Sequence, residues 1–237
     1  MELFRSLESR TKSFDNPFKH FEINQPLTQD AIDEICKAEI VDPRKKNLNY
    51  DGDLIHKRFA YNFFRKKTLP IGNIIAFRGY MNVGIDGMID QEDVLQNDYI
   101  ASDDAISFCW EIPNLDKFGA VAYQRLLNTQ IANILSSKYI KKPIEVDGDD
   151  LMVHDEFEGS DGSLQTVGKC SVSITYSKDN VAIGHTGINI NAGRKAPNFA
   201  YSTKLSDEDA KSFMQDIINL FYSMVDDMFI ATTKINL

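Results

Sequence analysis

The chain has 237 residues, of which 43% are hydrophobic and 26% charged, a balance typical of a globular protein that needs neither disulfides nor metal to fold. Its formal net charge of −9 disfavours binding to the phosphates of nucleic acid, and the short basic run at residues 56–67 does not outweigh it. Three scattered cysteines, no secretory signal and no apolar run of membrane-spanning length predict a cytoplasmic protein without a membrane partner.

The N-terminal part of the chain differs in character from the remainder. A helix is predicted to begin near Thr28, a suitable N-cap that precedes an apolar stripe. The polar stretch at residues 41–53 contains a proline and predicts a linker. We therefore predict an appended segment at residues 1–48, with one helix, and a main domain at residues 49–237.

The main domain begins with strand patterns and continues into a helix. Apolar and aromatic residues predict strands at 71–80 and 99–112, and a helical apolar stripe follows at 116–139. Strict alternation then passes through Cys170, turns at residues 177–180 and returns, as in a β-hairpin.

A last helix is predicted to begin at Ser206, with Asp209 three residues later as a variant of the capping box. Residues 231–237 are predicted to add an edge strand. This order of strands, helix, strands and helix favours an α+β domain with a mostly antiparallel sheet backed by helices.

The most unusual stretch, residues 145–162, holds eight carboxylates. A calcium loop of the EF-hand kind is excluded, because the sixth position counted from Asp147 is Met152, where glycine is needed. A looser calcium or magnesium site stays open, since oxygen ligands can converge from separate loops. Most of these acids fit a solvated hairpin, whereas Asp149 and Asp150 begin a strand that can hold them towards a cleft.

A mononuclear iron site is a minor alternative. His154, Glu156, His185 and Arg194 follow the order of the iron and 2-oxoglutarate oxygenases, in which two histidines and one carboxylate bind the metal. The first fifty residues resemble the start of some marine and phage oxygenases of that class, but they contain no triad. Glutamate stands where aspartate is commoner and the spacing is short, so we predict no metal site there.

From Tyr50 onward the chain resembles the domain-of-unknown-function family numbered 366. The matching segments occur in one order and include "YDGDLIHKRFAY", "IIAFRGYMNV", "YQRLLNTQIANIL", "GDDLMV", "GKCSVSI" and "GHTGINI". The family's fold is similar to that of the biotin and lipoate protein ligases, which belong with the class II aminoacyl-tRNA synthetases. The resemblance implies a curved, mostly antiparallel sheet backed by helices over residues 50–237.

Three motifs of the biotin ligases have counterparts here in the same order, "VDGDDL", "KCSVSI" and "GHTGIN". On this resemblance Asp150 stands where the ligase aspartate stands, and Lys169 where a lysine stabilises the acyl-adenylate. These two are the predicted catalytic residues. The glycine-rich arginine loop of the ligases is not recognisable, and only "FRGYMNVG" lies in the corresponding region. The predicted cofactor-binding residues are Arg78, Asp149, His185 and Asn189.

The resemblance implies a cleft that uses ATP and magnesium for acyl transfer or for ligation of a small carboxylic acid. A lysine held on a strand would stabilise the negative charge that develops on phosphate oxygens. The alternative is a non-catalytic domain that binds a small molecule or a nucleotide. The expected partner is a small-molecule ligand, and a homodimer is left open.

Strand geometry gives an expected distance between the two catalytic candidates. If Val153 lies opposite Lys169 on antiparallel neighbours, Asp150 and Lys169 are about 10 Å apart by strand rise. That separation excludes a direct salt bridge and suits opposite sides of a bound phosphate.

Overall fold

A computed structural model describes residues 40–41, 49–64, 72–96 and 99–234. Its helices are α1 (Phe59–Phe64), α2 (Gln91–Gln96), α3 (Lys117–Ile134) and α4 (Asp207–Thr233). Its strands are β1 (Ile40–Val41), β2 (Asn73–Val83), β3 (Ile100–Pro113), β4 (Ile144–Asp147), β5 (Asp150–Glu158), β6 (Leu164–Lys169), β7 (Ser171–Lys178) and β8 (Val181–Asn191). A 3-10 turn (Ile85–Gly87) follows β2, and a π-helical turn (Leu135–Ile140) ends α3.

The strands form two sheets, one of five strands in the order β1-β2-β3-β8-β7 and one of three in the order β4-β5-β6. Within the described ranges, β1 and β2 are parallel and the other strand pairs are antiparallel. Helices α3 and α4 contribute their apolar side chains to one core with the larger sheet. The predicted α+β architecture is therefore confirmed. None of the helices in the described ranges is long and apolar enough to cross a bilayer.

Strand β8 separates two hydrophobic cores because successive side chains of a strand point to opposite faces. Ala182 and Ile188 belong to the core that contains α3 and α4. Ile183 belongs to the core on the other face, with Tyr50 and Phe59. The odd-numbered side chains of β8 therefore lie on the face opposite the long helices.

The two sheets are joined at Cys170, which is fully buried between β6 and β7. Its N–H donates to the Leu151 carbonyl of the smaller sheet, and its carbonyl accepts from the Asn189 N–H of the larger sheet, both at 2.9 Å. The sequence predicted one strand through "GKCSVSI", which was wrong. The alternation continues unbroken through Cys170, so the pattern does not show that the chain changes sheets there.

Two predictions that depend on residues close together in the sequence are confirmed by the structure. The hairpin of β7 and β8 is confirmed, with Asp179 and Asn180 both at positive φ, 51° and 60°, as a two-residue turn of the I′ kind requires. Ser206 caps α4 as predicted, because its side chain accepts the Asp209 N–H. The edge strand predicted from residue 231 is wrong for 231–233, which continue α4.

The predicted division of the chain at residue 48 stays a prediction. Strand β1 lies before that boundary and pairs with Ala76 and Phe77 of β2. The helix predicted near Thr28 lies outside the described residues.

A buried polar network connects α3 to the larger sheet. Asn128 is fully buried, and its amide donates to the Asp149 carbonyl at 2.9 Å and to the Ser173 hydroxyl at 3.1 Å. The Thr186 hydroxyl donates to the amide oxygen of Asn128 at 2.9 Å. Three segments distant in sequence are thus held by one side chain.

We predict that Asn128→Ala lowers the free energy of unfolding by about 2 to 4 kcal/mol, because it leaves buried hydrogen-bonding groups without partners. Asn133→Ala, on the exposed side of the same helix, is the control and should change stability by about 0.5 kcal/mol or less. Urea denaturation of both variants measures the difference. Equal losses in the two variants would show that the network adds nothing to stability.

Candidate functional site

A cavity of about 500 Å³ lies beside the junction of the two sheets. Asp149, Asp150 and Lys169 line it from the smaller sheet and the turn that precedes β5. His185 and Asn189 line it from β8. Five of the six predicted site residues therefore surround one space, whose volume is in the range of small-molecule sites.

Lys169 and Asp150 form a direct ion pair, with the ammonium 2.7 Å from a carboxylate oxygen and each side chain about one third exposed. The predicted separation of about 10 Å, which excluded a salt bridge, was wrong. Met152, not Val153, lies opposite Lys169, so Asp150 and Lys169 project on the same side of the sheet. The long lysine side chain then spans the remaining gap.

Asp149 lies in the turn before β5 and is positioned by α3. Its carboxylate lies 3.3 Å from the Arg125 guanidinium, and its backbone carbonyl accepts from Asn128. Burial raises the pKa of Asp149 above its usual value, and the charge of Arg125 opposes that shift. The turn between β4 and β5 is thus held against the helix, with Asp149 and Asp150 at the wall of the cavity.

His185 is fully buried and stacks on Tyr50, with ring centroids 3.4 Å apart and planes 6° from parallel. Tyr50 is itself fixed beside β2, since its N–H donates to the Tyr80 carbonyl and its carbonyl accepts from the Asn82 N–H. Burial lowers the pKa of His185 from 6.5 to about 3, so the imidazole is neutral at physiological pH.

Asn189 lies four residues further along the same face of β8. Its backbone carbonyl accepts from the N–H and the hydroxyl of Thr203, which holds the strand in place. Gly187 lies between His185 and Asn189, where an added Cβ would come within 2.7 Å of the Met81 sulfur and 3.0 Å of the His185 ring. Only glycine at position 187 allows the Met81 and His185 side chains to pack so closely.

Arg78 does not line the cavity. Its guanidinium donates from Nε and Nη2 to the Asp104 carboxylate, and from Nη1, at 2.6 Å, to Asp207 in the first turn of α4. It joins the paired strands β2 and β3 to the start of the last helix. The cofactor-binding role predicted for Arg78 stays a prediction.

The two histidines of the iron alternative lie on different sheets. His154 lies on β5 of the smaller sheet and contacts Glu145 at 3.1 Å, whereas His185 is buried in β8 of the larger sheet. No group of three or more His, Cys, Asp or Glu side chains suited to a metal ion occurs in the described parts of the chain. Nothing in this arrangement favours the oxygenase hypothesis.

Sequence reasoning missed several residues of the site. Asp90 and Asp93, which flank the start of α2, and Tyr50 also line the cavity. Among the described residues of the lining, Lys169 is the basic one, against four aspartates. An acidic, helix-starting segment "DQED" could have been singled out, but nothing local in the sequence places Tyr50 against His185.

The chain belongs to the domain-of-unknown-function family DUF366, whose sequence model matches residues 40–236. No curated protein matches it. The family resemblance seen from Tyr50 onward is thereby confirmed, and the match begins ten residues earlier.

Among solved structures, a protein of unknown function from Pyrococcus horikoshi is similar, with 21% identity, a TM-score of 0.69 and coverage of 84% of this chain and 98% of that one. The biotin protein ligase from Aquifex aeolicus, solved with biotin and ATP, has 11% identity and a TM-score of 0.43, covering 81% of this chain and 71% of the ligase. LipL1 of P. falciparum, solved with lipoate, has 15% identity and a TM-score of 0.38, covering 64% and 48%.

We predict that His185 makes the protein less stable in acid. The unfolded chain takes up a proton at this residue below its ordinary pKa of 6.5, while the folded chain keeps the ring neutral down to about 3. Stability is therefore lost as the pH falls through 6.5 towards 3. The wild type should lose about 2 kcal/mol between pH 7 and pH 5 relative to His185→Phe, as measured by urea denaturation. Parallel pH curves for the two proteins would contradict this assignment.

Proposed function

We propose that the chain is an enzyme that uses a nucleotide to activate a small carboxylic acid in the cavity around Lys169. The observation that carries this proposal is the Lys169–Asp150 pair, which projects a basic group into a cavity of ligand size. In such a reaction a carboxylate oxygen attacks the α-phosphorus of ATP, the bond to pyrophosphate breaks, and an acyl-adenylate forms. Negative charge develops on the phosphate oxygens, and a nearby ammonium stabilises it.

A nucleotide needs a counter-charge in this cavity. Four aspartates line it with Lys169, so an unaccompanied polyphosphate would be repelled. Magnesium prefers oxygen ligands and is commonly held by one or two carboxylates together with substrate phosphates. The oxygens of Asp149 and Asp150 have the chemistry for that role, and the ion would neutralise the phosphates.

A second candidate function is binding without turnover. The direct contact between Lys169 and Asp150 favours it, because the ammonium already has a partner before any ligand arrives. A carboxylate or phosphate must then share the lysine with Asp150. Release of pyrophosphate from ATP, magnesium and a panel of carboxylic acids is expected from the enzyme and not from the binding domain.

We predict that Lys169→Ala weakens binding of ATP–magnesium about tenfold or more, since a charge-assisted contact is lost. The free energy of unfolding of Lys169→Ala should be lower than that of the wild type by about 1 kcal/mol or less, because the ion pair with Asp150 is partly exposed. Asp150→Asn should impair binding of ATP more with magnesium than without it. Thermal shift titrations of both variants, with and without magnesium, measure these effects.

The matched control is Lys142→Ala, which removes another lysine–aspartate pair, with Asp155, at the same distance of 2.7 Å. Neither residue lines the cavity, so this variant should bind ATP–magnesium as the wild type does. Identical ligand shifts in the wild type, Lys169→Ala and Asp150→Asn would refute the assignment of the site.

A further inference from the structure

The cavity contains an ion pair that a ligand can reach. The Lys169 ammonium lies 2.7 Å from an Asp150 carboxylate oxygen, and the two side chains are 31% and 35% exposed. Both residues line the cavity. Neither charged group is sealed in the core, so each can exchange its present partner for a group of the ligand.

The lining of the cavity carries more negative than positive charge. Among its described residues are four aspartates, one lysine and His185, whose pKa is lowered to about 3 by burial and whose ring is therefore neutral. Arg125, which lies outside the lining, balances Asp149 at 3.3 Å. Asp90 accepts the uncharged N–H of Glu92, a bond that leaves its negative charge uncompensated. A ligand that carries negative charge alone therefore meets an unfavourable field.

The ion pair is poorly matched to a ligand with a single charge. A carboxylate that binds the Lys169 ammonium must take the place of Asp150, whose own carboxylate then loses its partner in a site that is about one third exposed. An ammonium that binds Asp150 leaves Lys169 in the same position. Separating a partly buried ion pair without replacing both partners is costly, because one charge stays uncompensated. A ligand that brings both charges gives each side chain a new partner.

An α-amino acid has this arrangement of charge. Its ammonium and its carboxylate are attached to one carbon, so they are close neighbours, as the charged groups of Lys169 and Asp150 are. When the four groups meet, their charges alternate in sign. Hydrogen bonds between charged groups are about twice as strong as those between neutral groups, which favours the exchange.

The rest of the cavity offers apolar surface. Val172 and Ile174 follow Lys169 along the chain on β7 and line the cavity. Val83 and Ile100, which are paired in register on β2 and β3, line it as well. Val172, Ile174 and Ile100 are only half-buried, so part of their surface is left for a ligand. An aliphatic group placed here would be removed from water.

We propose that the small acid bound beside Lys169 and Asp150 is an α-amino acid with an aliphatic side chain. Its carboxylate contacts Lys169, its ammonium contacts Asp150, and its side chain lies along Val172 and Ile174. The inference rests on the proposed function in taking this cavity, and a carboxylate at Lys169, as the site. The second carboxylate oxygen of Asp150, together with Asp149, stays available for magnesium.

Three matched probes test the substrate class on the full chain. Hexanoic acid is norleucine without the ammonium, and pentylamine is norleucine without the carboxylate. Calorimetric titration without nucleotide or magnesium should show norleucine binding about tenfold or more tightly than either analogue, because each analogue leaves one charge of the pair without a partner. Hexanoic acid binding as tightly as norleucine overturns the proposal, and so does pentylamine binding as tightly. Absence of norleucine binding overturns it too.

Two substitutions assign the two ends of the ligand. Asp150→Asn should abolish the preference for norleucine over hexanoic acid, and Lys169→Met should abolish the preference over pentylamine. The control is Asp147→Asn, which removes the same charge from the residue opposite Asp150 in the strand register but outside the cavity lining, and which should keep both preferences. Preferences that survive both cavity substitutions, or that Asp147→Asn removes equally, contradict the assignment. If one cavity variant does not fold, the other decides.

Failure here is distinguishable from failure of the proposed function, because binding is measured without nucleotide. Pyrophosphate release with hexanoic acid, together with equal affinities for norleucine and hexanoic acid, would refute the amino acid and leave the proposed function standing. A preference for norleucine that depends on Asp150, without pyrophosphate release for any acid, would refute the proposed function and establish the amino-acid site.

Discussion

The geometry of the cavity depends on the backbone of one buried residue, Cys170. Its N–H is bonded to Leu151 in the smaller sheet and its carbonyl to Asn189 in the larger one. Because Cys170 is bonded to both sheets and the backbone of Lys169 is bonded to Phe199 and Tyr201, the position of Lys169 relative to β8 is restricted. The lysine of one sheet and the polar side chains of the other therefore face the same space. A small thiol suits this position, since a larger side chain would have to be accommodated between two packed sheets.

The sequence predicted well what depends on neighbours in the chain. The cap at Ser206 and the turn at Asp179–Asn180 involve residues within a few positions of one another, and both are found as predicted. The change of sheet at Cys170 and the stacking of Tyr50 on His185 depend on contacts between segments far apart in sequence, which periodicity does not encode. The expected distance between Asp150 and Lys169 was also too long because it left out the length of the lysine side chain. Strand rise measures the spacing of Cα atoms, whereas the Lys169 ammonium lies several bonds from its own.

The residues in the motifs that resemble those of the ligases fall into two groups. Some pack the core, and others line the cavity. In "GHTGIN", Gly184 lies directly against the Trp110 indole and Gly187 against the Met81 sulfur, so both glycines serve close packing. Arg78 likewise serves architecture, because its charge is shared between Asp104 and Asp207. Similarity at such positions indicates a shared fold. Function has to be sought in the residues that line the cavity.

The two-residue turn between β7 and β8 has a consequence for how insertions and deletions are tolerated. It fixes the register of β8, and with it the face on which every side chain of that strand lies. A slip of one residue would turn Thr186 and Ile188 towards the cavity and direct the polar side chains of His185 and Asn189 into the apolar core beneath the long helices. Related sequences should therefore vary in length at many loops of this fold, but hardly at this turn. The number of residues in the turn determines which side chains of β8 face the cavity.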